Sequence, residues 1–196
     1  MTVNEINPGK FPELEEDISE ILYTQDQILQ RVAEIGREIS KDYAGKNLLL
    51  VGVLKGVMLF MADLLRSIAL PVEVDFMAVS SYSSEARDKG LVRLVKDLEI
   101  PIQDRNVLFV EDVVDTGLTL NYLLRNLRTR GPSSLEVCTL FNKPRHRLIE
   151  IPLKYVGFDL PDRFIVGYGL DYRERYRNLP YIGLLKADVL QMSSED

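Results

Sequence analysis

Three runs, NLLLVGVL (47–54), NVLFV (106–110) and SLEVCTLF (134–141), are apolar almost throughout and lack the alternating polarity of a sheet with one wet face. Strands of that kind are buried on both faces, the condition of parallel strands covered by crossover helices. The segments between them supply the helices. VMLFMADLLRSIAL (57–70) is apolar at helical spacing and is halted by Pro71, and LTLNYLLRNLRTRG (118–131) is closed by Gly131. Ahead of the first run, Thr24 and Gln27 form a capping box before Ile28, Val32, Ile35 and Ile39, which sets a helix ending near Gly45. The expected fold is therefore α/β, a mainly parallel central sheet flanked by helices, within a single domain over residues 1–196.

The rest of the chain reads in the same terms. VEVDFMAVSSY (72–82) alternates, with Val72, Val74, Phe76 and Ala78 on one side, and is a further strand. SSEARDKG (83–90) is polar and without period, and suits either a solvated hairpin loop or a mobile lid before the strand LVRLVKDL (91–98). LKYVGFDLPDRFIVGYGLDY (153–172) holds two short strands around a Pro-Asp turn, and YIGLL (181–185) suits one more. Cys138, the single cysteine, lies within an apolar strand and reads as a small buried hydrophobe.

Several classes are disfavoured. A net charge of -6 argues against a nucleic-acid binder, and no apolar run reaches the roughly 20 residues that cross a bilayer. The N-terminal stretch carries acids instead of a basic segment followed by an apolar one, so a cytoplasmic location is expected.

After Val110 the chain is expected to leave the sheet, pass through EDVVDTG (111–117), and enter a helix near Thr119. Gly117 permits a turn in which successive amides face inward, and the helix N-terminus adds partial positive charge, a combination that cradles a phosphate. Leu118 stands where a nucleoside-triphosphate loop would carry lysine, and the GYG at 167–169 is no dinucleotide fingerprint. Glu111, Asp112 and Asp115 would repel a bare phosphate and so call for another partner. A sugar diol, a divalent cation and an ionising anomeric carbon each suit a carboxylate, and phosphoribosyl pyrophosphate with magnesium combines all three.

The stretch VLFVEDVVDTGLTL (107–120) resembles the signature of the type I phosphoribosyltransferases, in the form found in their 6-oxopurine branch, the hypoxanthine-guanine phosphoribosyltransferases. LLLVGVLKGVMLFMADLLR, VDFMAVSSYSS, LVKDL, CTLFNKP and YVGFDLPDRFIVGYGLDYRERYRNLPYIG are similar to that family in the same order. The resemblance implies a small hood built from the terminal segments and a lid loop near 82–92. It implies that Glu111 and Asp112 hold the ribose diol, with Asp115, Thr116, Gly117, Leu118 and Thr119 around the 5-phosphate. Asp115 would also exchange a proton with N7 of the purine.

By the same resemblance Lys143 donates to the exocyclic oxygen of the base, which rewards hypoxanthine or guanine over adenine. Phe164 would stack on the base and the Ile165 main chain would read its edge. Asp171 would bind Mg2+, with Glu111 and Asp112 as further ligands, and Arg177 would meet pyrophosphate. Lys55 and Gly56 would form a pyrophosphate loop containing a non-proline cis peptide, and Ser81 and Tyr82 would begin the lid. Read alone, Lys143 suits a surface lysine, and Phe164 and Ile165 suit the core. Ser83 in place of a glycine and Asn178 in place of an aspartate depart from the family pattern. His146, the only histidine, sits in KPRHR without the neighbours of a metal site and is given no role.

The resemblance also implies purine salvage, with hypoxanthine or guanine and phosphoribosyl pyrophosphate giving a nucleoside monophosphate and pyrophosphate, in a homodimer or homotetramer. Two alternatives remain: a regulatory nucleotide-binding protein on the same fold, and a transferase for xanthine or another base.

Overall fold

The computed structural model describes residues 11–81 and 92–191. Tyr82, Ser83 and nearly all of the expected lid lie outside the described residues. In chain order the elements are α1 (Pro12–Glu15), β1 (Ile18–Tyr23), α2 (Gln25–Asp42), β2 (Leu48–Leu54), α3 (Met58–Ser67), β3 (Val72–Ser81), β4 (Val92–Lys96) and β5 (Asn106–Val114). There follow α4 (Leu118–Arg128), β6 (Ser134–Asn142), a 3-10 turn (Pro144–His146), β7 (Tyr155–Asp159), β8 (Ile165–Val166), β9 (Ile182–Leu185) and α5 (Ala187–Gln191).

The capping box forms as the sequence implies. Thr24 N–H donates to Gln27 Oε1 at 2.9 Å and Gln27 N–H to Thr24 Oγ1 at 3.4 Å, and Ile28, Val32, Ile35 and Ile39 are all buried along α2. Cys138 is free and fully buried, and burial pushes its thiol far above its ordinary pKa.

Two compact units divide the chain, one spanning Leu29–Arg163 and the other made of both terminal segments, up to Ile28 and from Phe164 onward. The larger holds a six-stranded sheet in the order β4-β3-β2-β5-β6-β7, parallel at every pairing except β3–β4. The expectation of a mainly parallel sheet is met. Leu49, Val51, Val107, Phe109, Leu120 and Leu124 form part of its core. From β2 the chain builds outward through β3 and β4, and from β5 it builds the opposite way through β6 and β7. The reversal between β2 and β5 is a topological switch point, where crevices open beyond the strands' carboxyl ends.

The smaller unit is a three-stranded antiparallel sheet in the order β1-β9-β8 over a core of Val166, Tyr176, Leu179, Tyr181 and Leu185. Tyr176 donates its hydroxyl to Asp17 Oδ2 at 2.6 Å; burial and that bond push the phenol up to about 12.

One strand departs from its alternation. On β3 the buried residues are Asp75 and Met77, on the side opposite the apolar positions Val72, Val74, Phe76 and Ala78. Asp75 Oδ2 accepts from the N–H groups of Glu99 (2.6 Å) and Ile100 (2.9 Å), and Oδ1 from Phe76 N–H (2.7 Å) and Lys96 Nζ (3.3 Å). Burial alone would raise this carboxyl; the three backbone N–H groups and the ammonium outweigh it and hold it below the ordinary carboxylate value. Its unfolded pKa is about 3.9. A depressed folded value means that the contribution is present above the unfolded pKa and is lost as pH falls through the folded one. Asp75→Ala strands the donors and is expected to cost about 2 kcal/mol in urea denaturation at pH 7. The difference from the parent chain should shrink as the pH is taken below 4. An unchanged gap down to pH 3 would contradict the assignment.

Candidate active site

The site is assembled at the switch point. The first correction concerns β5, which does not end at Val110. Its ladder with β2 stops at the Gly52–Val110 pair, while its ladder with β6 runs on through Glu111–Thr139, Val113–Phe141 and Val114–Asn142. Past Val110 the strand is unzipped on one side only, and Glu111 and Asp112 stand on a strand instead of in a loop.

Strand alternation then sends Glu111 and Asp112 to opposite faces. Glu111 lines a pocket of about 240 Å³ together with Asp115, Thr116, Gly117 and Thr119. Asp112 turns to the end of β2, where its Oδ2 lies in the space that a side chain on Gly56 would fill. The Lys55–Gly56 loop and the acids after Val110 are therefore neighbours, and the expected non-proline cis peptide is present at Leu54–Lys55. Burial, and secondarily the charge of Asp112, raises the Glu111 carboxyl well above its ordinary pKa. Its ionised form requires a compensating partner.

Gly117, at φ 82°, is the N-cap of α4, and a Cβ there would meet the Ile149 carbonyl oxygen at 2.8 Å. The Thr116 carbonyl accepts from the N–H groups of Leu148 (3.0 Å) and Ile149 (3.2 Å), which fastens the turn from behind. The Thr116 hydroxyl accepts from Leu118 N–H at 3.4 Å, and the first bond of α4 is Asn121 N–H to the Gly117 carbonyl at 2.8 Å. Amides before Asn121 thus have no intrahelical acceptor, and no acid in the first turn offsets the helix dipole. The Leu118 side chain lines a groove with Asn121, Tyr122 and Ile149.

Lys143 is placed by its own N–H, which donates to the Val114 carbonyl at 3.0 Å, and its ammonium donates to the Arg163 carbonyl at 2.9 Å. His146, which the sequence left without a role, contacts Asp115: Nδ1 lies 3.0 Å from Asp115 Oδ1, and Nε2 lies 2.5 Å from Asp162 Oδ1. No local pattern signals this, because the three residues are 31 and 16 positions apart in the chain and meet only once β6 has brought Lys143 beside Val114.

The smaller unit carries the other candidates. Phe164 is 43% exposed, unusual for a phenylalanine, with Tyr172 edge-on at 5.3 Å, while Ile165 is buried in β8. Asp171 pairs with Arg177 at 2.8 Å through Oδ1 and accepts from Glu174 N–H at 3.0 Å through Oδ2. Arg177 also donates to the Gly169 carbonyl at 2.8 Å. Ser81 closes β3, its backbone paired with Val92. Asn178 is exposed.

Among the described residues no three or more His, Cys, Asp or Glu side chains are grouped to hold a metal. A magnesium ion that keeps most of its water and arrives with a substrate's phosphates needs only one or two carboxylates from the chain. The Asp171 side chain, 31% exposed, and the acids of β5 have the oxygen chemistry for it. Among the described residues no helix is long and apolar enough to cross a membrane.

Comparison with known proteins accords with this geometry. A phosphoribosyl transferase domain matches residues 19–173. The hypoxanthine-guanine phosphoribosyltransferase of Mycobacterium avium is 55% identical over 181 residues, 89% of each chain, and that of Streptococcus agalactiae serotype V is 50% identical over 176 residues, 90% of this chain and 98% of the other. The crystal structure of a hypoxanthine phosphoribosyltransferase from Staphylococcus aureus superposes with a TM-score of 0.87 at 46% identity, over 90% of this chain and 96% of that one. On its sequence and its architecture together, the chain belongs to the phosphoribosyl transferase family, among the hypoxanthine-guanine phosphoribosyltransferases.

Proposed function

We propose that this protein transfers the phosphoribosyl group of phosphoribosyl pyrophosphate to N9 of hypoxanthine or guanine, releasing pyrophosphate, as a cytoplasmic enzyme of purine salvage. The observation that carries this reading is the pocket at the end of β5, where Glu111 and Asp115 line one cavity with the turn of Thr116, Gly117 and Thr119. The turn from Asp115 to Thr119 takes the 5-phosphate through main-chain N–H groups. Glu111 and Asp112 accept from the ribose hydroxyls, and their charge favours the cationic character that the anomeric carbon gains as its bond to pyrophosphate lengthens. Lys55 and Gly56 bind the diphosphate, as does Arg177. Ser81 and Tyr82 begin the lid that keeps water from the reacting carbon.

Magnesium, held by Asp171 with Glu111 and Asp112 through the substrate, would neutralise charge on the leaving diphosphate. Asp115 takes the proton from N7 as N9 bonds to the sugar. Lys143 donates to O6 of the base, Phe164 stacks on the ring, and the Ile165 main chain reads its edge. The working form is a homodimer or homotetramer.

The test is pyrophosphate release from phosphoribosyl pyrophosphate, measured with each base and with or without magnesium. Release should require both hypoxanthine or guanine and the metal, and adenine should give none. Binding without turnover would instead favour a regulatory nucleotide-binding protein. Lys143→Met is expected to raise KM for hypoxanthine about tenfold or more while leaving KM for phosphoribosyl pyrophosphate near that of the parent. A change confined to the sugar substrate would remove Lys143 from the base site.

A further inference from the structure

We propose that His146, steadied by Asp162, is a positioning residue for Asp115: the imidazole grips one carboxylate oxygen and leaves the other to exchange a proton with the base. The inference rests on the role proposed for Asp115 and extends it to two residues that nothing else in the chain explains.

The geometry is a string of three side chains. Asp115 Oδ1 lies 3.0 Å from Nδ1, and Asp162 Oδ1 lies 2.5 Å from Nε2 on the far side of the ring. A carboxylate can only accept, so each of these contacts is a hydrogen bond only if a proton lies on it. Three arrangements meet that condition. The ring carries both protons and is clamped between two carboxylates, or Nε2–H donates to Asp162 while a protonated Asp115 donates to Nδ1, or Nδ1–H donates to Asp115 while a protonated Asp162 donates to Nε2. In each, one proton sits between Asp115 and His146, on the Oδ1 side of the carboxylate. The imidazole thus engages one of the two carboxylate oxygens.

The string also moderates charge. Glu111, Asp112 and Asp115 crowd five positions, and the imidazole contacts the last of them. The charged groups facing the ring from other elements are Asp115, after β5, and Asp162, in the turn after β7; on its own segment it has Lys143, Arg145 and Arg147 as neighbours. Lys143 is bonded to the Arg163 carbonyl, and Arg147 to the Val114 carbonyl and Asn142 Oδ1, so neither competes for Asp115. Stability does not account for the arrangement. His146, Asp115 and Asp162 are 45%, 45% and 47% exposed, and ion pairs that wet contribute little to folding. Removing the ring should leave the fold intact and isolate its effect on turnover.

The test compares steady-state kinetics across pH for the parent, His146→Leu, His146→Gln and Asp162→Asn, with thermal unfolding as a control. His146→Leu is expected to lower kcat about tenfold or more, as loss of a supporting partner does, with KM for both substrates within about twofold and a changed pH profile. The amide of His146→Gln retains one donor for Asp115 and should recover part of that loss. Asp162→Asn should fall between the parent and the leucine variant. In an Asp115→Asn background the leucine substitution should add nothing, since both act through one carboxylate. Parental kcat and pH profile in a folded His146→Leu protein would overturn the proposal, as would a loss expressed only in KM. If Asp115→Asn alone keeps full turnover, the reading of Asp115 fails first; if it is inactive while His146→Leu is unaffected, only the positioning role fails.

Discussion

Asp115→Asn is expected to lower kcat for nucleotide formation about 10³-fold, within the range that general acid–base catalysis supplies. The substitution is nearly isosteric, and a side-chain amide can still occupy the position beside His146, so the fold and the turn should survive. What is lost is a group able to take the N7 proton while N9 bonds to the sugar. The base would then have to lose its proton to water in a site arranged to exclude it. KM for phosphoribosyl pyrophosphate should change little, because the cradle proposed for the 5-phosphate is made of backbone. Measuring both constants separates the two possibilities: a fall in kcat alone marks a proton-transfer role, and parental turnover removes Asp115 from the chemistry.

Gly117→Val should be as damaging through a different route. The backbone at φ 82° disfavours any side chain by about 1–2 kcal/mol and a β-branched one most of all. Its Cβ would also press on the Ile149 carbonyl oxygen, which cannot move without disturbing the bonds that Leu148 and Ile149 make to Thr116. The turn must open, and misplacing the phosphate amides by about 1 Å costs on the order of 10²-fold in kcat/KM. The loss should concentrate in the sugar substrate. Leu118→Lys, one position along, is the contrasting control and should remain within about threefold of the parent, because that residue contributes an amide and little else to the cradle.

The central sheet was legible because its evidence is local. An apolar run such as LLLVGVL can be satisfied only between two covered faces, and the capping box of Thr24 and Gln27 marks a helix start by itself. The anion turn was legible for the same reason, since glycine, strand exit and helix entry are consecutive. The smaller unit was less so. β1 alternates poorly and leaves Ile21 half exposed, β8 has two residues, and α1 and α5 are too short to show a period.

Asp75 and His146 were hidden by distance. Asp75 looked like the wet side of an alternating strand, and its acceptor role appears only when residues 96–100 fold back across it. His146 has no informative neighbours in sequence and two in space. The extra length of β5 was missed because polarity changes at Glu111, whereas the ladder with β6 ignores polarity and continues to Val114.

Leu48 and Asn106 start β2 and β5 level with each other, and the two strands stay in step to Gly52 and Val110. Deleting any one residue between Val107 and Val110 would therefore move Asp112 into the place of Glu111, at the cavity, and Glu111 into the buried place of Val110. Connecting segments elsewhere in this chain can lengthen or shorten at small cost, but these four positions act as a ruler whose parity decides which carboxylate faces the cavity.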